Sequence, residues 1–221
     1  MPGVFITFEG IDGCGKSTQL RMLASVLRLQ GLNVVTTREP GGTSLGRRLR
    51  AALLDVDEQV DPLAELLVFA ADRAQHVRKQ LLPALETNHV VLSDRYADAT
   101  VAYQGAGRGF DPKLIQEIVQ LATGGLQPDL TVLLDLSVAE SINRTRRRAE
   151  NKQKDRLDIE AADFHTRVRN AYLEIAKAEP DRVRMIDARG SIEETHRVVK
   201  EIVVPILRAR GLIGEEQGAK R

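Results

Sequence analysis

Eight consecutive residues near the start of the chain, Gly10-Ile11-Asp12-Gly13-Cys14-Gly15-Lys16-Ser17, fill every position of the pattern G-x-x-x-x-G-K-[ST]. The flanks agree with it. Residues 4–8, Val-Phe-Ile-Thr-Phe, form a short β-rich apolar run, the profile of a buried parallel strand. Residues 17–29 read as a helix, with Leu20, Leu23, Ala24 and Leu27 at i, i+3, i+4 and i+7. A strand, a glycine-rich loop and a helix in that order aim successive backbone N–H groups and a helix N-terminus at one point, which suits a polyphosphate. A glycine-rich turn with no ligand is the plain alternative, and it leaves the filled motif and both flanks without a reason. The sequence therefore points to a nucleoside triphosphate, with Lys16 as a point charge at its β- and γ-phosphates and the Ser17 hydroxyl as a ligand to Mg²⁺. What receives or uses the phosphate is open at this stage.

The rest of the chain alternates β-type runs with helical patterns. Strands are predicted over 33–37, 89–93, 130–136 and 183–186, and helices over 45–54, 62–85, 112–121, 138–148, 159–178 and 192–210. That order predicts a parallel sheet covered by helices on both faces, with ligands at the C-terminal ends of the strands. At 221 residues, a single domain over 1–210 is expected, followed by a frayed tail over 211–221. A hydrophobic fraction of 43% and a net charge of +1 are ordinary for a globular protein and give no global pull toward nucleic acid. No apolar run approaches the ~18–20 residues of a membrane span. The N-terminus also lacks a basic region followed by a signal-like stretch. The expectation is a cytoplasmic protein without membrane or nucleic-acid partners. A lone cysteine excludes an internal disulfide, and the place of Cys14 in the loop reads as a need for small size ahead of a reactive thiol. His76, His89, His165 and His196 show no ligand spacing and are assigned no chemistry.

Functional residues should then follow the strands. After the second comes Arg38-Glu39-Pro40-Gly41-Gly42-Thr43, a turn in which Thr43 is placed to cap the next helix. A plain βα connection needs no Arg-Glu pair, and for Arg38 and Glu39 the functional and structural readings weigh evenly. After the third strand, Asp94 ends an apolar run in the arrangement that supports Mg²⁺, and Arg95 beside it is able to grip a phosphate. The competing reading is a surface Asp94–Arg95 pair. Tyr103-Gln104-Gly105-Ala106-Gly107-Arg108-Gly109 reads as a mobile loop able to close over a ligand. Phe69 and Arg73, four apart on the helix over 62–85, share a face, where a ring to stack and a guanidinium to donate suit a nucleobase; core packing is the plain reading of Phe69. From Arg144 to Arg156 seven basic residues face two acids. This is a solvated helix end, a nucleic-acid patch without stacking aromatics, or a lid whose arginines close on a transferring phosphoryl group.

Taken in order, Phe8-Glu9-Gly10-Ile11-Asp12-Gly13-Cys14-Gly15-Lys16-Ser17-Thr18, Arg38-Glu39-Pro40-Gly41-Gly42-Thr43, Phe69-Ala70-Ala71-Asp72-Arg73, Asp94-Arg95-Tyr96, Ala102-Tyr103-Gln104-Gly105 and Asp155-Arg156-Leu157 resemble the motifs of bacterial thymidylate kinases. The resemblance implies an α/β, three-layer P-loop kinase fold: a five-stranded parallel sheet flanked by helices, with a mobile arginine-rich lid near 146–157. It implies the reaction ATP plus dTMP to ADP plus dTDP with Mg²⁺, in dTTP synthesis, and a homodimer. By the same resemblance Gly10, Ile11, Asp12, Gly13, Cys14, Gly15, Lys16, Ser17 and Thr18 bind ATP, and Ser17, Asp94 and Asp12 serve the metal. Asp12, Arg38, Glu39, Arg50, Phe69, Arg73, Arg95, Thr100, Tyr103 and Gln104 bind dTMP. Phe69 stacks on thymine and Arg73 meets its O4 edge. Arg95 takes the phosphate, Thr100 and Gln104 approach N3, and Tyr103 sits by C2′. Lys16, Asp12, Arg95, Arg147 and Arg156 form the catalytic set, with Arg147, Arg148 and Arg156 in the lid. The loop position that carries a basic residue in some members is Gly13 here, so the chain resembles the lid-arginine type. It departs from the family pattern at Ala99-Thr100, where a hydroxyl residue often stands in place of Ala99. A kinase for another nucleoside or nucleoside monophosphate is the first rival. A nucleotide switch is the second, and Asn151-Lys152-Gln153-Lys154 is its only near match to a guanine-reading motif.

Overall fold

The computed structural model describes residues 3–54, 59–87, 89–149 and 162–214. Among them, five strands form one sheet in the order β2-β3-β1-β4-β5: β1 (Val4–Glu9), β2 (Val34–Arg38), β3 (Val90–Asp94), β4 (Leu130–Asp135) and β5 (Val183–Asp187). Every pairing is parallel. The observed strands match the expected ones to within a residue at each end. The register sets Phe8 opposite Asp94 and Asp94 opposite Arg38, so β1, β2 and β3 end at one level. Side chains of β1 alternate between the faces. Val4, Ile6 and Phe8 pack with Leu20, Leu23 and Leu27 of α1 (Lys16–Leu29) and Val199, Val203 and Leu207 of α9 (Ile192–Ala209). Phe5 packs on the other face with Val77, Leu81 and Tyr96. Both faces are covered because β1 sits mid-sheet, and a parallel sheet buried on both sides explains its unbroken apolar run.

Turn and cap chemistry starts three further helices. Asp61 and Asp111 precede Pro62 and Pro112, and each carboxylate accepts from two amides of the first turn, opening α3 (Pro62–His76) and α6 (Pro112–Thr123). Thr43 Oγ1 accepts from the Gly46 amide at 3.0 Å and opens α2 (Ser44–Leu54), as the sequence suggested. Residues 62–85 are not one helix, however. After α3 the chain widens into a π turn, Val77–Leu81, before α4 (Leu82–Glu86). Pro83 has no N–H to offer the turn behind it, and the widened turn makes room for its ring. A second correction concerns 103–109. The short α5 (Ala97–Thr100) runs into a π segment, Val101–Gly107, so Gly105 and Gly107 lie in a largely buried helical stretch and not in a mobile loop, and only Gly109 sits in the turn beyond it. It is held by α8 (Ala162–Ala178): a Cβ at Gly107 would lie 2.7 Å from the Phe164 ring, and Arg167 donates to the carbonyls of Ala106 and Gly107. Leu212 and Ile213, within the expected tail, pack on the α1/α9 core, and residues 215–221 lie outside the described residues. The remaining helix is α7 (Val138–Ala149), and the lid expected near 146–157 lies largely outside the described residues.

Candidate active site

The loop after β1 turns on Gly10, Gly13 and Gly15, all at positive φ. At Gly10 a Cβ would stand 2.4 Å from the Leu134 carbonyl oxygen, so only glycine lets the loop cross β4. Gly15 caps α1 with no side chain, leaving the first amides of α1 to an anion. Lys16 lies buried across the loop, its Nζ donating to the carbonyls of Gly10 (2.9 Å) and Ile11 (3.0 Å). Cys14 is buried beside it and burial pushes its thiol up, which favours packing over reactivity. Ser17 Oγ donates to the carboxylate of Asp94, the last residue of β3. Two hard oxygen donors thus meet at the first turn of α1. Among the described residues no group of three or more His, Cys, Asp or Glu encloses a metal. That donor set fits Mg²⁺, which takes one or two protein oxygens and completes its shell with phosphate and water.

Arg95 organises a second cluster beside the loop. It is the one non-glycine at positive φ among the described residues, at 71°. The strain, of order 1 kcal/mol or more, is held by Arg95 N donating to Phe8 O at 3.0 Å and Ser93 Oγ donating to Arg95 O at 2.8 Å. The bend ends β3 and brings the guanidinium across to β1 and its loop. Nη2 donates to Asp12 Oδ1 (2.7 Å) and to the Tyr103 hydroxyl (2.8 Å), while Nη1 makes longer bonds, 3.3 Å each, to Gly10 O and the Tyr172 hydroxyl. The guanidinium carbon stands 4.5 Å from the centre of the Tyr103 ring. The Tyr103 hydroxyl donates onward to Asp12 Oδ2. Arg95 therefore pairs with Asp12, and the Asp94–Arg95 surface pair is not formed. Burial alone would raise the Asp12 carboxyl, but Arg95, Lys16 and the Tyr103 hydroxyl hold it well below the usual carboxylate range. Asp12 belongs to this cluster, whereas Ser17 and Asp94 bond to each other.

Glu9 and Tyr172 complete the cluster, and the sequence reading gave neither a role. Glu9, at the end of β1, accepts from the Tyr96 amide (2.6 Å) and the Tyr172 hydroxyl (2.7 Å). Burial, with Asp98 adding, pushes its carboxyl up to about 7 despite Arg95. The rule that function follows strand ends would have found Glu9. Nothing local marks Tyr172, deep in α8.

The cavity beside Arg95 is lined by Asp12, Glu39, Arg50, Phe69, Arg73, Ala99, Thr100, Tyr103 and Gln104, among others. Arg73 is fixed by three bonds: Nε to Glu39 (2.8 Å), Nη1 to Thr100 Oγ1 (2.7 Å) and Nη2 to Tyr96 O (2.8 Å). Glu39 gives its other oxygen to His76, whose ring reaches Thr37. Burial would raise Glu39, but Arg73 and His76 hold it low. Arg50 donates to Pro40 O at the rim. Arg38 is exposed at the end of β2 and does not line the cavity. Arg147 is exposed on α7. The side chain of Arg148 and the whole of Arg156 lie outside the described residues. Gly13 is tied to α7: Ser141 Oγ donates to Asp12 O at 2.5 Å, and a Cβ at Gly13 would stand 3.0 Å from Ser141 O and Thr145 Oγ1. The packing of α7 on the loop accounts for glycine at this position.

The sequence model of thymidylate kinase matches residues 8–199. This chain belongs to the thymidylate kinase family. A thymidylate kinase of Pelobacter propionicus is 46% identical, with 94% of this chain and 95% of that protein covered. One of Nitratidesulfovibrio vulgaris is 49% identical over 92% and 93%. The crystal structure of thymidylate kinase from Ehrlichia chaffeensis superposes with a TM-score of 0.75 at 36% identity, covering 92% of this chain and 99% of that one. The P-loop kinase fold predicted for the family is the fold observed.

Proposed function

We propose that this chain transfers the γ-phosphoryl group of ATP to dTMP, giving ADP and dTDP. One observation carries the reading: a single cavity sets an anchored phosphate-gripping arginine, Arg95, and a Phe69–Arg73 base face directly against the phosphate-binding loop. The loop amides and Lys16 hold the triphosphate, Lys16 exchanging its carbonyl bonds for phosphate oxygens. Arg95 keeps its two short bonds to Asp12 and Tyr103 and turns its longer Nη1 bonds over to the dTMP phosphate. Ser17 and Asp94 would hold Mg²⁺, whose positive charge would offset that of the phosphates. The acceptor is a phosphate dianion, so no strong base is required, and catalysis is positioning plus charge stabilisation. Arg147 and Arg156 of the lid meet the charge developing on the transferring group. A nucleoside kinase would cast Glu39 as the base for a sugar hydroxyl, but both Glu39 oxygens are engaged by Arg73 and His76.

The test is a coupled ADP-release assay with ATP, Mg²⁺ and dTMP, dUMP, dCMP, dGMP or thymidine in turn. The reading expects dTMP to be turned over best, and turnover of dCMP, dGMP or thymidine at the same rate would sink it. The same reading places the enzyme in the cytoplasm as a homodimer. No helix among the described residues is long and apolar enough to cross a membrane. The packed helices α3 and α6 leave Leu63, Leu67, Leu114 and Leu121 exposed, apolar surface that a second copy would cover. Sedimentation should show a dimer that Leu67→Glu weakens; a monomeric wild type would remove this part of the proposal.

A further inference from the structure

Gln104 is the one amide among the side chains that line the cavity, and its residue type leaves its chemical sense undecided. An amide offers a carbonyl acceptor and an NH₂ donor in nearly the same shape, and the surrounding network decides which way it points. Here the network lies behind the cavity wall. Gln104 Nε2 donates to Glu65 Oε1 at 3.0 Å. Glu65, fully buried, also accepts from Arg108, Nε to Oε1 at 3.1 Å and Nη2 to Oε2 at 3.0 Å. The Arg108 guanidinium in turn rests 4.7 Å over the Phe164 ring. A carboxylate paired in this way only accepts, so the amide nitrogen must face it. Reversing the amide would set two oxygens against each other out of water. Oε1 is then the amide atom left for the cavity that Gln104 lines.

We infer that Glu65 is a positioning residue for base selection: it holds the Gln104 amide so that its carbonyl oxygen faces the base, which admits a ring N–H at N3, as in thymine or uracil, and rejects the N3 lone pair of cytosine. The inference rests on the dTMP reading above. Glu65, Phe69 and Arg73 are spaced four apart on α3, so one helix face supplies the amide's anchor, the stacking ring and the donor to O4. Arg73 has only donors to offer, which suits a carbonyl at O4 and not the amino group cytosine carries there. N3 is thus read through Glu65 and O4 through Arg73, and the 5-methyl group is read by neither.

The experiment compares kcat/KM for dTMP, dUMP and dCMP in the wild type, Glu65→Ala and Glu65→Gln. Glu65→Ala frees the amide to turn. It is expected to lower kcat/KM for dTMP and dUMP together by about tenfold, mainly through KM, with no loss for dCMP. Glu65→Gln keeps an acceptor oxygen for Gln104 Nε2 and should hold the dTMP-to-dCMP ratio within about threefold of the wild type. A folded Glu65→Ala whose ratio falls by less than threefold, or in which all three nucleotides fall alike, overturns the inference. A wild type that does not favour dTMP over dCMP overturns the dTMP reading first, so the two failures are distinct. Should Glu65→Ala not fold, ¹⁵N-labelled wild type decides. Slow exchange of a Gln104 amide proton, both without nucleotide and with dTMP, supports the anchor, and free exchange of both protons refutes it.

Discussion

Replacing Arg95 by alanine is the sharpest test of the acceptor site. The guanidinium is held by two short charge-assisted bonds, to Asp12 at 2.7 Å and Tyr103 at 2.8 Å, and carries two longer ones at 3.3 Å that a phosphate can displace. The Arg95 and Asp12 side chains are only 16% and 27% exposed, so solvent screens the pair weakly. Truncating one side of such a desolvated contact costs about 2–5 kcal/mol. At 1.4 kcal/mol per tenfold, dTMP affinity should fall between roughly 30-fold and a few thousand-fold. The upper part of the range is expected, because Asp12 would be left facing the phosphate without its cation. Asp12→Asn in the Arg95→Ala background should then recover part of the loss. Titration calorimetry with dTMP alone and with a non-hydrolysable ATP analogue alone separates the two sites, and the analogue should bind within about threefold of the wild type. A dTMP affinity that stays within threefold in Arg95→Ala would refute the phosphate role.

The buried Glu9 makes stability depend on pH. Its carboxyl sits near 7 in the fold against an ordinary 4.5, so its contribution is whole below about pH 4.5 and is lost as pH rises through 7. Glu9→Gln, which cannot ionise, should melt several degrees above the wild type at pH 8, for about 3 kcal/mol, and level with it at pH 5; a Tm difference independent of pH contradicts this. Gly13→Ala puts a Cβ 3.0 Å from Ser141 O and Thr145 Oγ1 at a φ of 75°. It should lower stability by about 1–3 kcal/mol, and an unchanged melting curve would mean α7 does not bear on the loop as described. Arg156→Ala is expected to lower kcat more than either KM, and steady-state kinetics showing a pure KM effect would count against a transition-state role for the lid.

Much of the architecture was legible because local rules carry it. The complete loop motif between an apolar run and an i, i+3, i+4 helix placed β1 and α1, and β–α alternation gave the parallel sheet. Two errors had causes that a single sequence hides. Pro83 widened the turn ahead of it, and Gly107 served close packing against α8 where loop mobility was expected. The site residues were partly legible. Asp12, Phe69, Arg73, Arg95, Thr100, Tyr103 and Gln104 do converge on one cavity. Arg38 shares its strand end with Asp94 in register yet is exposed and does not line the cavity, a difference that spacing does not encode. Glu39 turned out to anchor Arg73 and His76, which joins the two readings that the sequence left even.

Sequence by itself determined the triphosphate loop, the parallel sheet, the edge where ligands gather, and a family whose motifs recur here in order. Those features depend on backbone conformation and side-chain period, which neighbours along the chain control. Tertiary structure alone decided who pairs with whom: Arg95 with Asp12 across 83 positions, Tyr172 with Glu9 across 163, and Gln104 with Glu65 across 39. The reason is that a side chain's type lists what it can donate or accept, while packing chooses the partner. An arginine keeps one pair of N–H groups to spare, and an amide turns its carbonyl to a cavity, only when a buried neighbour has taken the other options away.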